Sequence, residues 1–483
     1  MRVLRTAALL LAALPAAASV FDQFSDIGQM TDHLLSGGPG RDGIPAMTNP
    51  QFIPADEATW VRDQDLVVGV VHNGVAKTYP ENLGWWHEIV NDEIGGEFIS
   101  VTLCPLTGTP QVFNATSDDG EQIEFGVSGL LINSNLVMYD RRDNETLYPQ
   151  MIFTGINGRF KGERLELMPA IETTFKMWKM MYPEAQVAQF GTGLERYSKS
   201  QSDNYQNPDR FGVYPYSDYR TNDGYFIAPL STGRPDLTTY FAKEVVTGIC
   251  VGEALRAYPF ADMAPQAVVN DTLGGQELLV VFDLASRTSI PYDRNVGGQL
   301  LTFYQVEAEG HLPVEFMDVE TRSRWDILGN AISGPLVGQK LTQLPAHNSM
   351  WFAWSTYWQK TTVWEIGDGI IEAPPEMTAV LEPAGAAVPD GFELTQNFPN
   401  PFNPDTRIRF TLPIDGQMSL QIYNTAGQLV RSLAEGTHRA GFYDVTWDGT
   451  DDAGRRIASG TYLYHLEMET AGYSESRRMT LTR

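Results

Sequence analysis

Three side chains in this sequence have the chemistry of soft-metal ligands: the thiol of Cys104 and the imidazoles of His87 and His347. Thiolate and imidazole are ligands that copper and zinc bind readily. Three such ligands would leave one coordination position open. A first hypothesis is therefore a copper or zinc site formed by these residues, although the sequence alone identifies no cofactor.

The same thiol supports a second hypothesis, a cysteine-nucleophile enzyme. Cys104 follows an apolar run and precedes a proline and a glycine-containing turn, where a side chain can face a cleft. His87 would act as the base and Glu88 or Asp92 would orient it. Because neighbouring residues on a helix point in different directions, the position of Glu88 weighs against that role.

Two structural roles are also open to the cysteines. Cys104 could be buried and inert, or it could form a disulfide with Cys250, since exported proteins often carry disulfides. A third functional hypothesis is a non-catalytic surface protein whose aromatic-rich cleft holds a ligand or glycan. The 20 tyrosines and 10 tryptophans are consistent with that hypothesis.

An internal repeat organises the middle of the chain. Residues 69–96 align without gaps on residues 248–275 at an offset of 179, and residues 158–178 align on residues 334–354 at an offset of 176. Two blocks in the same order at nearly the same offset indicate a duplication. Residues common to both copies are candidates for structure, and residues present in one copy are candidates for chemistry.

The candidate residues belong to the second group, because each occurs in one copy only. The first copy carries the thiol and a His-Glu pair, and the second copy carries the other histidine. The replacements between the copies are His87 to Gln266, Glu88 to Ala267, Cys104 to Asp283 and Ile171 to His347.

Hydrophobic periodicity predicts the elements of the first copy. Residues 66–71 and 98–103 have the composition of strands, and residues 80–90 and 173–181 have helical spacing. The predicted fold class is α+β, an internally duplicated, β-rich domain with two lobes. Pockets favour interfaces of this kind, so a site is expected between the lobes.

The N-terminus predicts export. Residues 1–19 combine Arg2 and Arg5, a short apolar run and small residues, as a secretory signal does. The formal net charge of −26 repels nucleic acid and anionic membranes, so neither is an expected partner. Because no later run reaches about 18–20 apolar residues, no transmembrane segment is expected.

The C-terminal part has a different composition and a different pattern of hydrophobic residues. Residues 373–391 are rich in Pro, Ala and Gly, which is typical of a linker. Residues 392–483 contain short alternating segments separated by turn signals such as Asp448-Gly449. This pattern predicts an all-β, immunoglobulin-like sandwich.

Motifs in that segment resemble the C-terminal sorting domains of bacterial type IX secretion and the related FlgD-type immunoglobulin-like module. The resemblance implies a sorting or anchoring role, with the type IX secretion machinery or a cell-surface anchor as partner. The motifs are Phe398-Pro-Asn-Pro-Phe-Asn-Pro404, Ile422-Tyr-Asn424, Trp447-Asp-Gly449 and Ser459-Gly-Thr-Tyr462.

Residues from about 44 to 365 resemble domain-of-unknown-function family 3179, which brings no settled activity. That family often shows Cys-Pro-Leu-Cys-Gly-Thr, whereas Thr107 stands here in place of the second cysteine. The difference argues against thiol exchange of the Cys-x-x-Cys kind. The matching motifs include Asp65-Leu-Val-Val-Gly69, Trp86-His-Glu-Ile-Val-Asn-Asp92, Cys104-Pro-Leu-Thr-Gly-Thr109, Asn133-Ser-Asn-Leu-Val-Met-Tyr-Asp140 and Trp351-Phe-Ala-Trp354.

These observations predict an exported or cell-surface bacterial protein that binds an unknown small ligand or metal, periplasmic if no type IX system is present. The predicted parts are a signal peptide at 1–19, a duplicated domain at 20–372, a linker at 373–391 and a sandwich at 392–483. Within the duplicated domain, the predicted segments are repeat one at about 60–190, a long connection at 191–240 and repeat two at about 241–365.

Overall fold

The computed structural model describes residues 26–206, 212–222, 224–227, 240–263, 266–371, 377–379, 389, 391–452 and 455–482. The predicted signal at 1–19 lies outside the described residues. The chain divides into two compact units, Met1–Glu372 and Ala373–Arg483. Among the described residues, no helix is long and apolar enough to cross a membrane.

The first unit consists mainly of strands. Its first half, residues 26–206, contains β1 (Leu35–Ser36), β2 (Met47–Thr48), β3 (Phe52–Pro54), β4 (Leu66–His72), β5 (Val75–Pro80), β6 (Ile89–Ile94), β7 (Glu97–Cys104), β8 (Thr109–Asn114), β9 (Phe125–Ile132), β10 (Asn135–Asp140), β11 (Leu147–Pro149), β12 (Ile171–Thr174) and β13 (Gln186–Ala188). Three helices accompany them: α1 (Glu81–His87), α2 (Phe175–Met181) and α3 (Lys199–Tyr205).

The second half, residues 240–371, repeats much of this order. It contains β14 (Val245–Val251), β15 (Ala254–Pro259), β16 (Gln266–Leu273), β17 (Gln276–Asp283), β18 (Thr288–Asp293), β19 (Asn295–Val296), β20 (Gln299–Leu300), β21 (Phe303–Val306), β22 (Glu315–Asp318), β23 (Arg324–Asp326), β24 (Ala331–Ser333), β25 (Thr342–Gln343), β26 (His347–Met350), α4 (Trp351–Tyr357) and β27 (Thr362–Val363).

Helices are shorter than the sequence pattern predicts. The helix expected over 80–90 ends at His87, and β6 begins at Ile89, because the apolar residues that suggested helical spacing face a sheet instead. Each α-helix of the described residues has seven residues. The structure therefore supports the coarser description of a β-rich chain with several sheets.

The strands of the two halves are arranged in corresponding orders within their sheets. The order β12-β4-β5-β13-β3 in the first half corresponds to β26-β14-β15-β27 in the second. The strands β6-β7-β8 correspond to β16-β17-β18, with β2 added beside β6 and β25 added beside β18. The remaining four-stranded sheets are β1-β9-β10-β11 and β21-β22-β23-β24. In both halves a strand-helix corner, β12–α2 or β26–α4, pairs with the first long strand of its own half.

Side-chain contacts also recur at matched positions of the two halves. Lys77 pairs with Asp92 at 2.7 Å, and the hydroxyl of Tyr79 donates to the same carboxylate at 2.6 Å. The matched group in the second half is Arg256, Tyr258 and Asp271, joined by the same kinds of bond.

Each half donates a backbone hydrogen bond to a turn of the other half. The N–H of Met350, at the start of the α4 corner, donates to the carbonyl of Thr107 at 2.8 Å. At the matched positions, the N–H of Thr174 donates to the carbonyl of Ser286 at 3.1 Å. Each β7–β8 or β17–β18 turn is therefore held by the strand-helix corner of the opposite half.

Two hydrophobic cores also combine residues of both halves. One core joins Phe113 and Tyr148 of the first half to Trp351 and Trp354 of the second. The other joins Trp178 of the first half to residues of the second, Tyr292 and Trp325 among them. Burial of such large aromatic rings makes the two halves mutually dependent for stability.

The second unit is all β within its described residues. It contains β28 (Met377–Ala379), β29 (Glu393–Leu394), β30 (Thr406–Leu412), β31 (Gly416–Asn424), β32 (Leu429–His438), β33 (Gly441–Trp447), β34 (Gly460–Met468) and β35 (Tyr473–Leu481). They form two sheets, β28-β33-β30-β29 and β32-β31-β34-β35, around a shared core that includes Trp447. β28 comes from the predicted linker, so part of that segment is a strand of this unit.

A glycine in each half allows the tryptophan of the corner to pack on the first long strand. A Cβ atom at Gly248 would overlap the ring of Trp354, and one at Gly69 would overlap the ring of Trp178. We expect Gly248→Ala to lower the free energy of unfolding by about 1–3 kcal/mol, because the added methyl overpacks a fixed ring.

Urea unfolding monitored by circular dichroism measures this effect. The matched control is Gly40→Ala, where an added Cβ meets open space, and we expect a change below about 0.5 kcal/mol there. Equal stabilities of the Gly248 and Gly40 variants would contradict the packing argument.

Candidate functional site

The candidate site is built around the turn between β7 and β8. Cys104 is the last residue of β7, Thr109 is the first residue of β8, and Gly108 has the positive φ of 58° that the turn requires. The turn is buried rather than exposed, because it is covered by the corner of the second half and by residues 212–222 and 224–227.

A network of buried polar side chains holds the turn through hydrogen bonds. The amide of Asn135 donates to the hydroxyl of Thr107 at 3.0 Å and to the side-chain oxygen of Gln150 at 2.7 Å. Gln150 in turn donates to the hydroxyl of Thr102 and to the carbonyl of Thr109. Sequence analysis missed Asn135 and Gln150, because neither residue type signals a buried network without its three-dimensional neighbours.

Cys104 carries a protonated thiol. Burial and the nearby charge of Glu88 raise its pKa to about 11. The thiol donates weakly to the carbonyl of Ser134 at 3.6 Å. Cys250 is also a free thiol, so the disulfide considered from the sequence is not formed.

Comparison with the second half shows what Cys104 does for the fold. At the matched position, the carboxylate of Asp283 accepts hydrogen bonds from the N–H and the hydroxyl of Ser286 and so closes the turn. In the first half, hydrogen bonds between Cys104 and Thr107 occupy the same place. The thiol therefore occupies the turn-closing position that the side chain of Asp283 occupies in the second half.

Glu88 is the most unusual residue near the thiol. It ends α1 with φ 58° and ψ −33°, a conformation that costs a residue with a side chain of order 1–3 kcal/mol. Its backbone is held on both sides, since its N–H donates to Gly84 and its carbonyl accepts from Leu103. The side chain is buried, and burial raises the pKa of its carboxyl to about 8.

His87 faces a different environment from Cys104. Its Nδ1 lies 2.8 Å from the carbonyl of Pro45, and its ring packs against Phe190 and Tyr205. Because a carbonyl only accepts, Nδ1 carries the proton. Burial lowers the pKa of His87 to about 4, so the ring is neutral. Among the described residues, no hydrogen bond joins His87 to Cys104.

His347 lies at the start of β26, beside the rings of Phe153 and Trp354. It lines a small cavity between the halves together with Glu172 and Asn348. Burial lowers its pKa to about 3. Within the described part of the chain, no three His, Cys, Asp or Glu side chains are grouped closely enough to hold a metal ion, so the predicted trio of Cys104, His87 and His347 does not assemble.

A cover formed by residues 212–222 and 224–227 lies over the thiol. The hydroxyl of Tyr214 donates to the carbonyl of Pro105 at 2.8 Å, and the N–H of Ile227 donates to the hydroxyl of Ser134 at 2.9 Å. The guanidinium of Arg220 lies 3.6 Å from the carboxylate of Glu81. This segment belongs to the long connection that the sequence left unassigned.

Comparison with known proteins agrees with this architecture at the level of families. The model of the DUF3179 family, a protein family of unknown function, matches residues 41–361, so the chain belongs to that family. The FlgD Ig-like domain model matches residues 402–472 within the second unit. No curated protein matches the chain.

Three solved structures are similar to parts of the chain. FLGD from P. aeruginosa is 23% identical over 16% of this chain and 59% of its own, with a TM-score of 0.14. Dimeric latent PorU from Porphyromonas gingivalis is 12% identical over 80% of this chain and 31% of its own, with a TM-score of 0.17. PorZ, a surface component of the type-IX secretion system of the same bacterium, is 10% identical over 86% and 56%, with a TM-score of 0.17.

The chain spans less than two thirds of the length of each of these structures. Their TM-scores are too low to support an argument about this fold or its activity.

The buried carboxyl of Glu88 predicts a specific pH dependence of stability. Its pKa is about 8 in the folded chain, compared with an ordinary value of 4.5, so the folded chain holds this proton more tightly than the unfolded chain. The resulting stabilisation is complete below pH 4.5 and is lost as the pH rises through 8. Relative to Glu88→Gln, the wild-type free energy of unfolding should fall between pH 5 and 8, by up to about 1.4 kcal/mol per pH unit.

Urea unfolding of both proteins at pH 5, 6, 7 and 8 measures this difference. His87 and His347 are present in both proteins, so their titration cancels. Glu93→Gln, on the exposed side of β6, is the control and should give a profile parallel to the wild type. Parallel profiles for the wild type and Glu88→Gln would contradict the assignment of a buried, protonated carboxyl.

Proposed function

We propose that this chain is an exported ligand-binding protein. The family domain carries the ligand site at Glu88 and Cys104, and the C-terminal unit attaches the protein outside the cytoplasm. Support for export comes from the signal-like composition of residues 1–19 and from the FlgD Ig-like match at 402–472. Its partner for export would be a type IX secretion machinery or a surface anchor.

The observation that carries the site assignment is the conformation and burial of Glu88. A glycine at this position would avoid the backbone strain, and an apolar side chain would avoid the cost of burying a carboxyl. The chain instead keeps a strained, buried acid whose charge acts on the only thiol of the turn. Strain and a shifted pKa at one residue are typical of functional sites.

The contrast between the halves supports the same assignment. We infer that the halves arose by duplication, because their sheet orders and turn contacts correspond. The second half folds with Ala267 and Asp283 at the two matched positions. Glu88 is therefore not needed for the shared frame, and a carboxyl group can close the turn in place of the Cys104 thiol. A function in the first half would explain both residues.

The ligand class that this pair favours is a soft metal ion such as Cu⁺. Thiolate binds soft ions strongly, and carboxylate adds a charged oxygen donor. Binding would replace the thiol proton and the carboxyl proton, so affinity should rise with pH. The ion would enter beneath the cover formed by residues 212–222 and 224–227, and His87 and His347 are not in the proposed ligand set.

A second candidate function is nucleophilic catalysis with Glu88, rather than His87, as the base. The position of the carboxyl beside the thiol favours it. The pKa of about 11 for Cys104 weighs against it, because little thiolate exists at neutral pH. Slow alkylation of Cys104 by iodoacetamide at pH 7 in the Cys250→Ser background would exclude an activated nucleophile.

Anaerobic Cu⁺ titration of the full chain tests the proposed binding. We expect about one equivalent bound by the wild type and by the control variant Cys250→Ser. Cys104→Ser should weaken binding at least 100-fold, and Glu88→Gln should weaken it about tenfold. Absence of binding by the wild type, or equal binding by Cys104→Ser, would overturn the metal assignment.

Cell fractionation tests the proposed display. In a bacterium with a type IX system, the full chain should reach the surface and become sensitive to added protease. A chain ending at residue 391 should stay in the periplasm, because it lacks the C-terminal unit. Surface exposure of both chains would contradict the proposed role of that unit.

A further inference from the structure

We propose a second binding site, for one divalent metal ion of the zinc class, in the cavity between the two halves. His347 would supply its imidazole ligand and Glu172 its charged ligand. The site is separate from Glu88 and Cys104, and it uses the histidine that the sequence had grouped with them. It does not depend on the function proposed above.

The cavity has a volume of about 20 Å³. That volume suits one water molecule or one metal ion and excludes a larger ligand. Its polar lining consists of Glu172, Thr247, Ser289, His347 and Asn348. The first half contributes one of these five residues and the second half contributes four.

Matched positions line the cavity from both sides, with different chemistry. Val68 and Thr247 occupy one matched pair, and Pro110 and Ser289 occupy another. Glu172 and Asn348 form a third pair. An apolar lining on both sides would be the simpler way to join two halves, so the polar residues of the second half point to a bound polar species.

Three polar atoms of this lining have no hydrogen-bond partner among the described residues and no contact with solvent: Oε2 of Glu172, Nε2 of His347 and Oγ of Ser289. His347 is 5% exposed and Ser289 is 8% exposed. An unpaired buried polar atom costs about 1–3 kcal/mol, and native proteins rarely keep several around one cavity. A bound ion would satisfy all three atoms at once.

The other hydrogen bonds of the lining leave these atoms free for an ion. The hydroxyl of Thr247 donates to Oδ1 of Asn348 at 2.7 Å, so the amide nitrogen of Asn348 is the group that can donate to Glu172. That bond orients the carboxyl of Glu172. His347 is neutral, which is the form of imidazole that binds metals.

The surrounding charges permit a divalent ion. Glu172 is hydrogen-bonded to Glu81, and burial together with the charge of Glu81 raises the pKa of Glu172 well above its usual range. Arg220 lies 3.6 Å from Glu81, and the charge of Arg287 acts on Glu172. A divalent ion would place its positive charge beside these two carboxyl groups.

The donor set selects the class of ion. Magnesium and calcium prefer sites made only of oxygen, whereas an imidazole with a carboxylate is typical of zinc sites. Only two strong protein ligands are available, so Ser289 or solvent would complete the coordination. A borderline ion such as Zn²⁺ fits this arrangement better than Mg²⁺.

Equilibrium dialysis of the chelator-treated full chain against Zn²⁺ and Mg²⁺ tests the proposal. The informative variant is His347→Ile, since Ile171 occupies the matched position of the first half. Glu172→Gln is the second variant, and it keeps the side-chain volume. We expect one Zn²⁺ per wild-type chain, binding at least 100-fold weaker in both variants, and no tight Mg²⁺ binding.

Two controls separate this site from others. His311→Asn removes an exposed histidine and should leave Zn²⁺ binding unchanged. Cys250→Ser, which removes a free thiol outside both proposed sites, should also leave it unchanged. Zn²⁺ should raise the melting temperature of the wild type but not that of His347→Ile.

A wild-type chain that binds no Zn²⁺ would overturn the proposal. Retention of tight Zn²⁺ binding by both His347→Ile and Glu172→Gln would also overturn it, because the ion would then lie elsewhere.

Discussion

The reciprocal hydrogen bonds between the strand-helix corner of each half and the turn of the other half are the constraint on which the rest of the first unit depends. Each strand-helix corner donates a backbone hydrogen bond to the turn of the opposite half, from Met350 to Thr107 and from Thr174 to Ser286. Each corner also brings its tryptophan onto a glycine of its own first long strand. The thiol turn is therefore fixed by residues more than 200 positions away along the chain, and the cavity at His347 lies along the same contact.

On this shared frame the two halves differ in chemistry. The first half has α1, with Glu81 near its start and Glu88 at its end, and it has a thiol where the second half has Asp283. The second half has His347 and polar cavity positions where the first half has apolar ones. Both sites that we propose use residues that are present in one half and replaced at the matched position of the other. The shared frame can carry them because the corner contacts do not depend on their identity.

Much of the frame could be predicted from the sequence. Repeated glycines, tryptophans and Tyr-Pro pairs identified corresponding positions, and alternation identified the long strands. The end of the first helix could not be predicted, since Ile89 and Val90 fit the helical spacing of residues 80–90 although they pair with β7 as part of a strand. Sequence analysis named the candidate residues, but it did not predict which of them lie close together. Whether Cys104 meets His87 or Glu88 depends on a single positive φ at Glu88, which periodicity does not encode. Likewise, the buried network of Asn135 and Gln150 depends on contacts across separate hairpins.

The chemistry of the first half depends on Glu88 being a buried acid held beside a neutral thiol. The most direct measurement is the titration of its carboxyl carbon by NMR in the full chain labelled with ¹³C-glutamate, with the Glu88 signal assigned from its loss in Glu88→Gln. We predict a midpoint near pH 8, and the same midpoint in the control variant Glu93→Gln. A midpoint close to the ordinary value of 4.5 would show that the carboxyl is solvated and would contradict the account of the site.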